Sequence, residues 1–112
     1  MADFRIFYVA TAAARPGKRG EAAQWWREKG QAHFESLSGV KSLQVFASQF
    51  LIGRKHGYEF WYELENYAVL DTWDAELEAD PQKYGPPWME FTELFEPGPT
   101  RIMGDWPESL LV

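Results

Sequence analysis

The sequence contains no cysteine and only two histidines. Without cysteine the chain can form no disulfide framework, no thiolate zinc site and no cysteine nucleophile. It also lacks an excess of positive charge, because its formal net charge is −6 at pH 7 and no basic patch interrupts the acidic balance. Phosphate repels such a domain. We therefore expect neither a nucleic-acid partner nor a metal site.

Long apolar runs are missing as well. A membrane-spanning helix needs about 20 consecutive apolar residues, and no segment of this chain approaches that length. A secretory signal needs a basic start and then an unbroken apolar stretch, whereas the apolar run at residues 6–14 contains Tyr8 and Thr11 and alternates like a strand. These absences predict a cytoplasmic protein without a membrane partner.

Aromatic side chains are present in unusual number. The chain has 112 residues, of which 46% are hydrophobic and 17% are aromatic. That length predicts a single domain, residues 1–112, with enough apolar residues to fill a core. It also leaves a small domain with more large apolar surface than it can easily bury alone.

Hydrophobic periodicity predicts four strands and three helices. Strict alternation predicts strands at residues 4–10, 40–51, 58–64 and 100–106, with a polar hairpin loop at 53–57. Apolar residues three and four apart predict helices at 21–37 and 67–79, the second capped by Asn66. A short third helix is expected to open at Pro86-Pro87. The apolar stripe of the first helix is predicted to be Ala23, Trp26, Gly30, His33 and Leu37.

The order of these elements is β-α-β-β-α-(α)-β, which is the ferredoxin-like split βαβ pattern of the α+β class. Right-handed crossovers place the third strand between the first and second, and the fourth outside the first. The expected sheet is therefore four-stranded and antiparallel, in the order 4-1-3-2. Both main helices pack on one face, with the extra short helix before the last strand.

The other face of this sheet is predicted to be apolar instead of polar. Phe7, Val9, Trp61 and Met103 alternate with the residues that face the helices. A contiguous apolar sheet face usually marks an interface or a ligand cavity. We expect a homodimer in which two sheets meet face to face.

Several short segments of the chain resemble a known group of proteins. They are Pro16-Gly17-Lys18, Trp25-Trp26-Arg27-Glu28, Leu37-Ser38-Gly39-Val40, Trp73-Asp74 and Asp80-Pro81. With these segments the sequence resembles the dimeric α/β-barrel superfamily, whose ferredoxin-like subunits pair into one barrel. Its members include antibiotic-biosynthesis monooxygenases, haem-degrading monooxygenases, muconolactone isomerases and stress-responsive proteins. The resemblance implies the fold and the dimer and leaves the activity open.

The haem-degrading members bind iron through a histidine on the second helix. Residues 67–79 contain no histidine, so the resemblance does not extend to haem. We expect no cofactor, and Asn66 is better explained as a helix cap.

Charged residues are predicted to gather on the open sheet face. Antiparallel pairing puts Arg5 beside Glu63 and Asp105, with Glu59 and Arg101 nearer the other end of that face. Arg5 could anchor an anionic or carbonyl-bearing ligand, with Glu63 or Asp105 as a proton acceptor. The alternative, which we favour, is a structural network of ion pairs.

A candidate cavity follows from the same face. We expect Phe7, Trp61 and Met103 to line it with Arg5, and Glu59 and Arg101 to adjoin it. His33 is expected to reach the cavity from the first helix, as a general base or as a core histidine with one hydrogen-bond partner.

These features favour three functions in turn. The first is a homodimeric binder of a small apolar or aromatic ligand, with an apolar cavity in each subunit. The second is an enzyme, either a cofactor-independent monooxygenase or an isomerase acting on a cyclic aromatic or conjugated compound. The third is a structural dimerisation module.

Overall fold

The computed structural model describes residues 4–48 and 57–108. The chain order is β1 (Ile6–Ala14), α1 (Arg19–Trp25), a π-helical turn (Trp26–Gly30), α2 (Gln31–Glu35), β2 (Val40–Ala47), β3 (Gly57–Leu64), α3 (Val69–Ala79), α4 (Pro81–Leu94) and β4 (Phe95–Gly104). The predicted hairpin loop at 53–57 and the end of the predicted second strand lie largely outside the described residues.

The four strands form one antiparallel sheet in the order β2-β3-β1-β4. This is the predicted 4-1-3-2 order read from the other edge, and the ferredoxin-like α+β prediction is confirmed. The edge strand β4 contains Pro97 and Pro99, which its unpaired side tolerates. Its register against β1 shifts between Ala10 and Ala12, so the prolines coincide with a local irregularity of the sheet.

The core lies between one face of the sheet and the helices. Period-two alternation puts Ile6, Ala12, Phe60, Tyr62 and Leu64 on this inner face, where all five are buried. Ala22 and Phe34 cover them from the first helical segment, Val69 from α3 and Phe91 and Leu94 from α4. No helix among the described residues is long and apolar enough to cross a membrane.

The first helical segment differs from the predicted one. Its buried face comprises Ala22, Gly30 and Phe34, while Ala23 is exposed. The cause is the π-helical turn at Trp26–Gly30, because a wider turn moves the buried face to a spacing of four residues. Gly30 is needed there, since a Cβ atom would lie 2.5 Å from Trp26 and 2.7 Å from Trp25.

The second and third helices also begin elsewhere than predicted. α3 starts at Val69 with no side-chain cap, so the prediction of Asn66 as its cap is wrong. α4 starts at Pro81 instead of Pro86, because Asp80 accepts a hydrogen bond from the backbone N–H of Lys83 and proline fits the first helical position. β4 consequently begins at Phe95, five residues before the predicted strand.

Candidate functional site

Arg5 at the open face is held by a single carboxylate. Its Nε and Nη2 donate to the two oxygens of Asp105 at 3.1 and 2.9 Å, and its backbone N–H donates to Asp105 at 2.8 Å. The side-chain and backbone hydrogen bonds from Arg5 lower the pKa of Asp105. This bidentate geometry occupies the guanidinium group that would otherwise receive a ligand.

The second charged pair of the open face joins neighbouring strands. Arg101 donates to Glu59 at 3.2 Å, and the indole N–H of Trp61 donates to the same oxygen at 2.9 Å. The Trp61 hydrogen bond, ahead of Arg101, lowers the pKa of Glu59. Glu63 lies apart from both pairs, where it accepts from Ser42 at 3.3 Å and approaches Lys41 at 3.5 Å.

The predicted cavity residues of this face share a shallow groove of about 470 Å³. Its lining includes Arg5, Phe7, Glu59, Trp61, Met103 and Asp105, together with Phe46. The rings of Phe7 and Trp61 meet edge to face with centroids 5.3 Å apart. Val9 beneath them is fully buried, whereas Phe46 is 51% exposed. The outer face is therefore an apolar surface with its charges paired inside the chain.

His33 lies on the opposite side of the sheet from Arg5. Strand neighbours point to opposite faces, so Arg5 and Phe7 belong to the outer face, while the helices that carry His33 cover the inner face. The structure therefore separates two groups that the sequence analysis had placed at one cavity.

His33 instead lines an inner cavity of about 340 Å³ between the sheet and the helices. Four sheet residues form its floor, namely Tyr8, Ala10, Phe60 and Tyr62. The helices contribute, among others, His33, Trp73, Glu76, Tyr84, Trp88 and Phe91. Aromatic rings thus make most of the wall, and the lining is predominantly apolar. This composition and size are typical of small-molecule sites, which occupy about 300–1,000 Å³.

The half-buried His33 is a neutral group of this cavity at physiological pH. Its ring meets Phe34 edge to face at 4.9 Å and lies 6.5 Å from the Tyr84 ring, centroid to centroid. Burial, and then the positive charge of Lys83, lower its pKa from the ordinary 6.5. Burial likewise raises the pKa of Tyr62 on the cavity floor and keeps that phenol protonated.

Glu76 and Tyr84 form a hydrogen-bonded pair across the cavity wall, from α3 to α4. The Tyr84 hydroxyl donates to Glu76 Oε2 at 2.8 Å. The Ser38 hydroxyl, followed by that of Tyr84, lowers the pKa of Glu76, which is therefore ionised. The other oxygen, Oε1, is buried and has no hydrogen-bond partner among the described residues.

Sequence reasoning missed this pair for two reasons. Glu76 falls beside the Trp73–Leu77 stripe and was assigned to the outside of the helix, although its carboxylate reaches inward. Tyr84 precedes Pro86, where the third helix was expected to begin. The Asp80-Pro81 pair is a helix-start signal that could have placed Tyr84 on α4.

The described ranges 4–48 and 57–108 contain no group of three or more His, Asp or Glu side chains arranged to hold a metal ion.

Comparison with known proteins identifies the fold. No protein-family profile and no curated protein matches the sequence. Solved structures match over nearly the whole chain, among them a NIPSNAP domain protein from Burkholderia xenovorans, with 14% identity, a TM-score of 0.61 and coverage of 96% of this chain and 98% of that chain.

Two further structures have similar scores. A candidate antibiotic-biosynthesis monooxygenase from Deinococcus radiodurans has 12% identity and a TM-score of 0.58, covering 96% of this chain and 97% of that chain. An ethyl tert-butyl ether D (EthD) family protein from Bacillus halodurans has 12% identity and a TM-score of 0.57, covering 88% and 96%. These likenesses confirm the ferredoxin-like fold common to antibiotic-biosynthesis-monooxygenase-like proteins.

Proposed function

We propose that this chain is a homodimeric small-molecule-binding protein whose ligand occupies the inner cavity of each subunit. The observation that carries the proposal is the 340 Å³ space itself, with aromatic walls and a few convergent polar groups, His33, Glu76 and Tyr84. A small domain gains free energy by filling its core, so an unfilled apolar space of this size has to be explained by its contents. The shallow outer groove offers less, because its charges already satisfy one another.

Binding of an uncharged two-ring probe tests this proposal. We expect naphthalene to bind the wild-type protein, detected by saturation-transfer NMR on the ligand. Ala10→Leu adds three carbon atoms to the cavity floor and should reduce binding at least tenfold. Ala13→Leu makes the same change on the other face of β1 and should bind naphthalene like the wild type. Binding that survives Ala10→Leu unchanged would place the probe elsewhere.

The homodimer is the partner that we propose for the outer face. Phe7, Phe46, Trp61 and Met103 form one apolar surface on a sheet that the helices leave uncovered. Pairing this face with a second copy buries these side chains without leaving any charge alone, because Arg5 and Arg101 keep their own partners.

Light scattering tests the dimer. We expect a mass of about twice 13.0 kDa. Phe46→Lys puts an unpaired charge on the outer face and should give the monomer. Met89→Lys changes a residue of α4 that is 64% exposed and should leave the dimer intact. A wild-type monomer at micromolar concentration contradicts the assembly.

The position and charge of His33 favour a second candidate function, general-base catalysis. A neutral imidazole inside an apolar cavity can remove a proton from a bound carbon acid. Proton abstraction of this kind begins an isomerisation and also a cofactor-independent oxygenation of a conjugated compound.

Deuterium exchange into 2-tetralone, an enolisable two-ring ketone, measures that step directly. We expect the protein to accelerate exchange in D₂O and His33→Asn to abolish the acceleration. Arg5→Ala, on the other sheet face, should retain it. Naphthalene binding without any accelerated exchange leaves the protein a binder.

A further inference from the structure

The inner cavity contains one acceptor atom that the chain leaves unused. Glu76 points its carboxylate into the space between α3 and α4, where Tyr84 occupies Oε2 at 2.8 Å. Oε1 is out of contact with solvent, and no donor among the described residues reaches it. Buried carboxylate oxygens are almost always hydrogen-bonded, so an unused one at a cavity wall indicates where a donor belongs.

The chain's other charges do not supply that donor. Lys83 is the cation that influences Glu76, but its ammonium group lies over the outer side of Tyr84, 5.1 Å from the ring centroid, and it does not line the cavity. Asp74 adds a second carboxylate to the lining. The only titratable cation precursor in the lining is His33, which burial keeps neutral. The cavity is therefore negatively charged and aromatic-walled.

These two properties select a ligand. The rings of Trp73, Trp88 and Phe91 favour a flat conjugated skeleton, because aromatic pairs gain contact energy beyond the apolar area that they bury. Glu76 favours a skeleton that carries an O–H or N–H group and opposes one that carries a carboxylate. Neither preference is visible from the fold that the chain shares with other proteins.

We propose that Glu76 determines the specificity of the cavity, accepting a hydrogen bond at Oε1 from an O–H or N–H group on an aromatic ligand and excluding aromatic carboxylates. The inference rests on the proposed function, since it assumes a ligand in this cavity. Tyr84 acts as a positioning residue, because its hydroxyl fixes the carboxylate by its other oxygen.

Four naphthalene compounds of similar size test the proposal by competition NMR at pH 7. Naphthalene has no donor, 2-naphthol has a neutral hydroxyl, 1-naphthylmethylamine has a cationic N–H donor, and 2-naphthoate is an anion. We expect 2-naphthol, 1-naphthylmethylamine or both to bind at least tenfold more tightly than naphthalene, because hydrogen bonds to a charged group are stronger than average. We expect 2-naphthoate to bind at least tenfold more weakly than naphthalene.

The two donors distinguish the kinds of ligand. A preference for 2-naphthol identifies a neutral hydroxyl ligand, and a preference for 1-naphthylmethylamine identifies an amine. Glu76→Gln removes the charge with little change of shape and should reduce the donor advantage below threefold while strengthening 2-naphthoate binding. Glu78→Gln removes an exposed carboxylate from the same helix and should leave all four affinities unchanged.

The failures of the two proposals are separable. If naphthalene binds but neither donor compound binds more tightly in the wild-type protein, the role of Glu76 is wrong and the cavity remains a binding site. If 2-naphthoate binds as tightly as 2-naphthol, the charge argument is wrong. If none of the four compounds binds, the proposed function itself fails.

Discussion

Gly39 and Gly17 provide a matched pair of substitutions at the same backbone conformation. Both have positive φ, 77° and 76° respectively. A Cβ atom on Gly17 would have nothing within 4 Å, whereas one on Gly39 would collide with Cγ2 of Val69 and lie 2.9 Å from its Cγ1. Gly39 ends the first helical segment and Val69 begins α3, so this contact fixes the two walls that carry His33 and Glu76.

The two substitutions should differ by the cost of the collision. Gly17→Ala costs only the left-handed conformation, about 1 kcal/mol after the smaller entropy of its unfolded chain is counted. Gly39→Ala adds overpacking against the buried Val69, about 1–3 kcal/mol. We expect Gly39→Ala to lower the free energy of unfolding by about 2–4 kcal/mol, measured by urea denaturation at equal protein concentration.

A double-variant cycle with Val69→Ala isolates the contact. Val69→Ala alone should cost about 2 kcal/mol for two lost methyl groups and the space they leave. It removes both Cγ atoms and leaves Cβ at 3.1 Å, which a small shift relieves. In that background Gly39→Ala should cost no more than Gly17→Ala does. Equal costs for Gly39→Ala and Gly17→Ala in the wild-type background, within about 0.5 kcal/mol, would refute the reasoning.

Two further predictions concern the helical layer. Gly30→Ala should destabilise the protein by about 1–3 kcal/mol in urea denaturation, because its Cβ meets two indoles, although alanine normally favours a helix by about 1 kcal/mol; a stabilised variant would contradict the close approach. The pKa of His33 is lowered by folding, so the unfolded chain binds more protons just below pH 6.5 and the free energy of unfolding should fall as pH drops from 7 towards 5. His33→Gln should flatten this decline, and identical profiles would show that His33 is not desolvated.

The sheet could be predicted from the sequence because its signals are short-range and redundant. Alternation in β1 and β3 assigns each side chain to a face, and Ile6, Phe60 and Leu64 are buried as that alternation requires. Crossover handedness then leaves one strand order. The pairing of Arg101 with Glu59 follows from the same register.

The helices were harder because their buried faces depend on details that periodicity averages out. The π-helical turn at Trp26–Gly30 changes the spacing of the buried face to four residues, and a stripe drawn at the ordinary helical period falls on Ala23 instead of Ala22. Asp80-Pro81 was understood only as the end of one helix, although it also starts the next. The cavity depends on that second role, since it brings Tyr84 onto α4.

The charges on the two faces of the sheet distinguish what each face can do. On the outer face Arg5 is matched by Asp105 and Arg101 by Glu59, so the surface can meet a second apolar surface without stranding a charge. On the inner face Glu76 keeps an unused buried oxygen. A chain gains nothing in stability from such an atom, because a buried acceptor without a donor costs about 1–3 kcal/mol or more. The outer face is thus suited to assembly, and the cost retained at Glu76 points to the inner cavity as the place where this protein recognises its ligand.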